Sequence, residues 1–240
     1  MLDALLPGQC LLCDAASGGA AVCPACLRGL PPVVPACPTC ALPRGDGVIP
    51  CGACQAQPPP WEAAVAPLRY EFPVDRLIHR FKYRGDLPAG AALADAMALG
   101  PWPSGAPPEI AATQSGRGVN RAPWLVPVPL HALREAWRGY NQAAELARAL
   151  AMRSGWPLVP GLRRIRATRP QTGLDARARA GNVAGAFRWV GPALEDQTVV
   201  LVDDVFTTGA TALACAEVLK EATGLRLWTA ARALPPGHQN

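Results

Sequence analysis

The chain has 240 residues, half of them hydrophobic, 17% charged and 6% aromatic, with a formal net charge of +5. This composition excludes a disordered or collagen-like chain and allows one large or two small globular domains. The basic excess is local: residues 121–180 hold eleven arginines against three acids, so an anionic partner is expected near that segment, with a solvated arginine face as the plain alternative. No apolar run reaches the roughly 20 residues of a membrane span. The opening MLDALLPGQC has neither a basic stretch nor a long apolar one, so no secretory signal is expected and the chain reads as cytosolic.

In chain order, the first feature is a set of four CxxC units: Cys10/Cys13, Cys23/Cys26, Cys37/Cys40 and Cys51/Cys54. Two thiolates of one CxxC can turn toward a single metal, and two such knuckles complete a tetrahedral shell. The spacing predicts two successive structural zinc sites, one held by Cys10, Cys13, Cys23 and Cys26, the other by Cys37, Cys40, Cys51 and Cys54. Without a secretory signal a disulfide framework fits less well, and paired knuckles hold zinc more often than an iron–sulfur cluster. Residues 1–60 contain few large apolar side chains and need such a staple to fold. Gln57-Pro-Pro-Pro60 reads as a stiff spacer. The expected division is therefore a double zinc ribbon at 1–60 and an α/β domain at 61–240.

Beyond the spacer, a short strand is expected near 65–71, then helices at 74–83 and 88–98. Residues 100–121 are rich in Pro, Gly, Ser and Thr and read as a loop. Trp124 to Pro127 reads as a buried strand, and 140–152 as a helix with Tyr140, Ala143, Ala147 and Leu150 on one stripe. Short strands at 163–165 and 186–190 flank an arginine-rich loop. A β-branched run at 198–202 has the pattern of a central parallel strand. A helix at 209–222 and a strand at 225–231 follow. Strand–helix–strand order with short connections predicts a parallel α/β sheet with right-handed crossovers.

The central strand runs into Asp203-Asp-Val-Phe-Thr-Thr-Gly-Ala-Thr211. Two carboxylates, a hydroxyl-rich turn and a helix start place N–H groups and threonine hydroxyls where a phosphate binds. Asp203 and Asp204 suit ribose hydroxyls or a magnesium ion held with them; simple helix capping is the plain alternative. The turn lacks the Gly-Lys-Ser/Thr of a P-loop and the spaced glycines of a dinucleotide site.

This stretch resembles the phosphoribosyl pyrophosphate (PRPP) motif of type I phosphoribosyltransferases. With the four CxxC units, Phe81-Lys-Tyr-Arg-Gly85, Pro127-Val-Pro-Leu130, Arg138-Gly-Tyr-Asn-Gln142, Thr168-Arg-Pro-Gln171, Ala180-Gly-Asn-Val183 and Phe187, the chain looks like the ComF family, associated with DNA uptake in natural competence. The resemblance implies a phosphoribosyltransferase-like α/β domain binding PRPP with Mg²⁺. Asp203 and Asp204 would hold the ribose, and Thr207, Thr208, Gly209, Ala210 and Thr211 the 5′-phosphate. The loop after Leu130 would lie near the pyrophosphate, and 168–185 would form a mobile loop over the site. Purine-salvage relatives carry a catalytic Asp where Thr207 stands, which disfavours adenine or guanine salvage.

Other candidates are less specific. Arg138, Asn141 and Gln142 are expected to begin a helix facing the cleft, where arginine suits pyrophosphate. Arg169, Arg177 and Arg179 could neutralise a departing pyrophosphate or follow a nucleic-acid backbone. Lys82 and Tyr83 suit single-stranded DNA stacking. His79 and His131 read as ordinary polar residues, and Cys215 as packing. Two readings stand: a phosphoribosyltransferase with an acceptor and general base the sequence does not identify, or a non-catalytic DNA-processing adaptor that senses a nucleotide and engages single-stranded DNA or competence proteins.

Overall fold

The computed structural model describes residues 8–45, 49–103, 122–166 and 185–234. The motifs at 168–171 and 180–183, with Arg169, Arg177 and Arg179, and most of the 100–121 loop lie outside the described residues.

Among the described residues, five strands form an all-parallel sheet: β1 (Ala63–Val65), β2 (Leu68–Arg69), β3 (Trp124–Pro127), β6 (Thr198–Phe206) and β7 (Gly224–Arg232). The order is β1–β7–β6–β3, with β2 also on β7. The mixed α/β class with a parallel sheet is as expected. The strand expected near 65–71 is instead two pieces, with Pro67 between them. Proline has no N–H to donate to a ladder.

Along β6 the side chains alternate between two cores. Val200 and Val202 join one, and Val199 and Leu201 the other; all four are at most 2% exposed. Burial on both faces explains the unbroken apolar run, each such side chain stabilising by about 1.5–3 kcal/mol. The first face is covered by α3 (Val74–Tyr83), α4 (Leu87–Leu99) and α6 (Gln142–Ser154). The second is covered by α7 (Ala210–Val218) and by an antiparallel pair, β4 (Leu162–Arg164) with β5 (Phe187–Trp189).

α3 has the expected bounds because Val74, Leu77, Ile78 and Phe81 recur at helical spacing and are fully buried. The expected helix at 140–152 is corrected. A separate helix, α5 (Ala132–Arg138), comes first. Gly139, at φ +85°, breaks the chain after it. Asn141 then caps α6, its side chain accepting from the Ala143 N–H. Arg138 thus ends one helix, and Asn141 and Gln142 begin the next.

The cysteine-rich segment packs on the sheet domain at both faces. It contains α1 (Pro24–Arg28) and α2 (Gly52–Ala56). Cys10, Val22, Cys23 and Leu30 join the core under α3, and Ala41 joins the opposite core. Between the two cysteine quartets, the Val33 N–H bonds to the Pro67 carbonyl at 2.8 Å and the Arg69 N–H to that of Pro31 at 2.9 Å.

Candidate functional site and metal centres

The four CxxC units gather as two quartets: Cys10, Cys13, Cys23 and Cys26, and Cys37, Cys40, Cys51 and Cys54. Within each, the sulfurs lie within 4.8 Å of one another, and all eight are free thiols. Cys13 and Cys23 Sγ are 3.9 Å apart, and Cys40 and Cys51 Sγ 3.7 Å. A tetrahedron with Zn–S arms of about 2.3 Å has edges of about 3.8 Å, so the quartets have the size of zinc shells. Backbone N–H groups of Cys23 and Cys51 point at the sulfurs of Cys10 and Cys37, at 3.3 and 3.2 Å. Burial opposes ionisation of Cys10, but such N–H donors outweigh it and bring its pKa down to about 6. Hydrogen bonding with Cys13 and Cys23 pushes Cys26 up to about 12. Crowded thiols of this kind need a cation before all four can ionise.

The second site lies at the carboxyl ends of the strands, where open parallel sheets bind ligands. A cleft of about 600 Å³ is lined by Asp203, Asp204, Thr207, Gly209 and Thr211 with Lys82, among others. A neighbouring recess of about 390 Å³ shares the two aspartates and adds Pro129, Leu130, Arg138 and Gln142. The structure therefore brings together Asp203, Asp204, Thr207, Gly209, Thr211 and residues 128–130, whereas the expected site residues Thr208, which is exposed, and Ala210, which is buried, line neither recess. The aspartates stand within β6 rather than after it, because β7 continues to pair with them: Asp203 opposes Thr229 and Phe206 opposes Arg232.

Strand alternation separates the two carboxylates. Asp204 is buried, and its Oδ1 lies 2.9 Å from Lys82 Nζ on α3. Asp203 accepts from the Asp204 N–H at 2.9 Å. Its pKa is raised to about 7, first by burial and then by the Asp204 charge, with Lys82 pulling the other way. A cation beside this pair would relieve both effects, and a carboxylate donor set suits Mg²⁺.

Gly209, at φ +82°, turns the chain into α7. A Cβ there would fall 3.1 Å from the Phe206 ring. The Thr208 hydroxyl accepts from the first helical N–H of α7, that of Ala210, at 3.5 Å, and Thr211 and Ala212 of the first turn line the cleft. The helix ends at Val218 rather than near 222.

On the other side, Arg138 Nη1 donates to Gln142 Oε1 at 2.7 Å. The Arg138 Nε and Gln142 Nε2 atoms are buried and make no hydrogen bond within the described residues. Donors left open in this way fit an anionic oxygen from outside the chain. Lys82 pairs with Asp204, and Tyr83 lies beneath the Arg138 guanidinium at 5.2 Å.

His79, Tyr70 and Thr229 also line the cleft and went unrecognised as site residues. A signal for His79 was available, because on α3 it falls with Lys82 and Tyr83 off the stripe formed by Leu77, Ile78 and Phe81. His131 does not line the cleft, and Cys215, on the buried face of α7, packs fully into the core.

Comparison with known proteins agrees with this organisation. Residues 1–55 match the double zinc ribbon domain. DNA utilization protein YhgH of Salmonella typhi is 34% identical over 95% of this chain and 99% of its own length. YhgH of Escherichia coli K12 is 32% identical over the same shares. Competence protein F of Haemophilus influenzae is 31% identical over 76% of this chain and 78% of its own. With identity at this level along nearly its full length, the chain belongs to the ComF family, together with YhgH and competence protein F.

Proposed function

We propose that the cleft binds PRPP with Mg²⁺ and that the protein, like relatives named for DNA utilization and competence, serves DNA uptake or processing in the cytoplasm. The observation that carries the ligand reading is the meeting, in one cleft, of the Asp203–Asp204 pair with Thr207, Gly209 and Thr211 of the turn that opens α7. In this reading Asp203 and Asp204 accept the ribose hydroxyls and hold Mg²⁺. Thr207, Thr208, Gly209, Ala210 and Thr211 surround the 5′-phosphate. Arg138 and Gln142 supply their open donors to the pyrophosphate oxygens. Bound Mg²⁺ supplies charge neutralisation on the leaving pyrophosphate. The same proposal divides the chain at residue 60 into a metal-stapled platform and the domain that carries the cleft.

A second reading, a DNA-processing adaptor without catalysis, is favoured by the name of the YhgH relatives, which concerns DNA rather than a transfer reaction. Pyrophosphate release across candidate acceptors, set beside binding of labelled single-stranded DNA at rising salt, separates the two readings.

The ligand assignment is tested by calorimetry of PRPP with Mg²⁺ against the wild-type protein and Asp204→Ala. Each lost hydrogen bond to a charged group is worth about 1.5–3 kcal/mol, so affinity should fall roughly ten- to hundredfold. Absence of PRPP binding by folded wild-type protein, or unchanged affinity in the variant, would refute it.

A further inference from the structure

The turn at 206–209 is braced from behind by the second cysteine quartet, and Arg232 makes the junction. This residue ends β7 and is 6% exposed. Its Nε donates to the Cys40 carbonyl at 2.9 Å. Its Nη1 donates to the carbonyls of Phe206 at 3.0 Å, Thr207 at 2.6 Å and Ala233. The guanidinium carbon also sits 4.6 Å from the Phe206 ring centroid.

Trp61 forms a second strut. Its Nε1 donates to the Thr39 carbonyl at 2.8 Å, and its ring meets Phe206 edge-on at 6.0 Å. Thr39 and Cys40 belong to the Cys37–Cys40 knuckle. The first quartet sits elsewhere: Cys10 and Cys23 pack into the core under α3.

A carbonyl oxygen and the N–H of the next residue share one rigid peptide plane. Fixing the oxygens of Phe206 and Thr207 therefore fixes the directions of the Thr207 and Thr208 N–H groups. Those N–H groups belong to the turn read above as the phosphate cradle. A guanidinium suits this task, because its planar fork of donors can hold several carbonyls in set directions, whereas an ammonium is a point charge.

We propose that Arg232 is a positioning residue that couples the second cysteine quartet to the ligand turn, so that affinity at the turn depends on that quartet and not on the first. The coupling to affinity rests on the PRPP reading above. The coupling to turn geometry does not.

The experiment uses full-length, zinc-loaded protein and the variants Arg232→Lys, Cys54→Ser and Cys26→Ser. Zinc content, PRPP–Mg²⁺ affinity, melting temperature and ligand-free amide exchange are measured for each. The informative amides are Ala233 and Leu213, which bond to the Phe206 and Gly209 carbonyls at 2.9 and 2.8 Å. Arg232→Lys should weaken PRPP roughly tenfold, the scale of a typical coupling between sites. It should speed exchange at Ala233 and Leu213 while the α4 amides keep their protection, a local pattern that general loss of stability does not produce. Cys54→Ser should reproduce both effects with one zinc lost. Cys26→Ser should also lose one zinc yet keep PRPP affinity within about twofold.

Unchanged exchange and affinity in Arg232→Lys and Cys54→Ser would overturn the proposal, as would equal losses in Cys26→Ser. Should wild-type protein fail to bind PRPP, the ligand reading falls alone, and the exchange measurement still decides the coupling.

Discussion

Lys82 Nζ and Asp204 Oδ1 meet at 2.9 Å, joining α3 to the central strand at the mouth of the cleft. Burial works against the lysine charge, but the attraction of Asp204 outweighs it and raises the Lys82 pKa. The pair has two consequences. It stabilises a carboxylate that would otherwise be buried alone, and it places a cation beside the group proposed to hold ribose. Any ligand that uses Asp204 must share it with Lys82.

Lys82→Met should therefore destabilise the protein on the order of 3 kcal/mol, because it strands a buried charge. Lys82→Met combined with Asp204→Asn should recover most of that loss. Urea denaturation of the two single variants and the double variant checks this. A double variant as unstable as the sum of the singles would show that the two residues do not interact.

The pKa of Asp203 sets a pH dependence with a definite sign. Its folded value, about 7, lies above the ordinary value of 3.8, so between roughly pH 4 and 7 the folded state binds a proton that the unfolded state has released. Stability should fall as pH rises through that window and level off above it, with a slope up to about 1.4 kcal/mol per pH unit. Asp203→Asn should remove this contribution and stabilise the protein at pH 8. Denaturation of zinc-loaded protein across pH 5–8, with thiols held by metal, is the measurement. Equal slopes in wild type and Asp203→Asn would contradict the assignment.

Gly90 lies inside α4, where alanine usually stabilises a helix by about 1 kcal/mol. Here a Cβ would fall 2.4 Å from Phe81 Cε2 and 2.7 Å from its Cζ. Phe81 is fully buried, and close-packed interiors leave a ring little room to shift. Gly90→Ala should therefore destabilise, with overpacking costing about 1–3 kcal/mol. Adding Phe81→Leu should relieve the clash. Thermal melts of the single and double variants read the effect, and a raised melting temperature in Gly90→Ala alone would contradict it.

Elemental analysis should find two zinc ions per chain, and Cys37→Ser should reduce this to one. Cys37 is fully buried, so its loss should loosen the second quartet locally, metal binding and folding being coupled in such modules. Iron in place of zinc, or no metal, would overturn the assignment.

Much of this molecule was legible from residue order. The CxxC spacing determined two quartets in sequence, because ligands close along the chain meet with little loss of entropy. The β-branched run in β6 and the stripe of Val74, Leu77, Ile78 and Phe81 determined a buried strand and an amphipathic helix. The acidic pair and the turn after it were visible as one local motif. Helix boundaries around 138–142 were less legible, since a single glycine in a left-handed conformation outweighs a continuous helical stripe.

Only the tertiary structure decided what faces what. Asp204 pairs with Lys82, more than a hundred residues earlier in the sequence, because strand alternation and the buried stripe of α3 point both side chains into one cleft. Arg232 reaches Cys40, 192 residues away, because β7 runs parallel beside β6 and ends level with Phe206. Neither contact leaves a local pattern, for a lone lysine or arginine satisfies propensity and periodicity equally well on a solvated face. Buried carbonyls and a buried carboxylate must find donors, and where those donors come from is settled by packing.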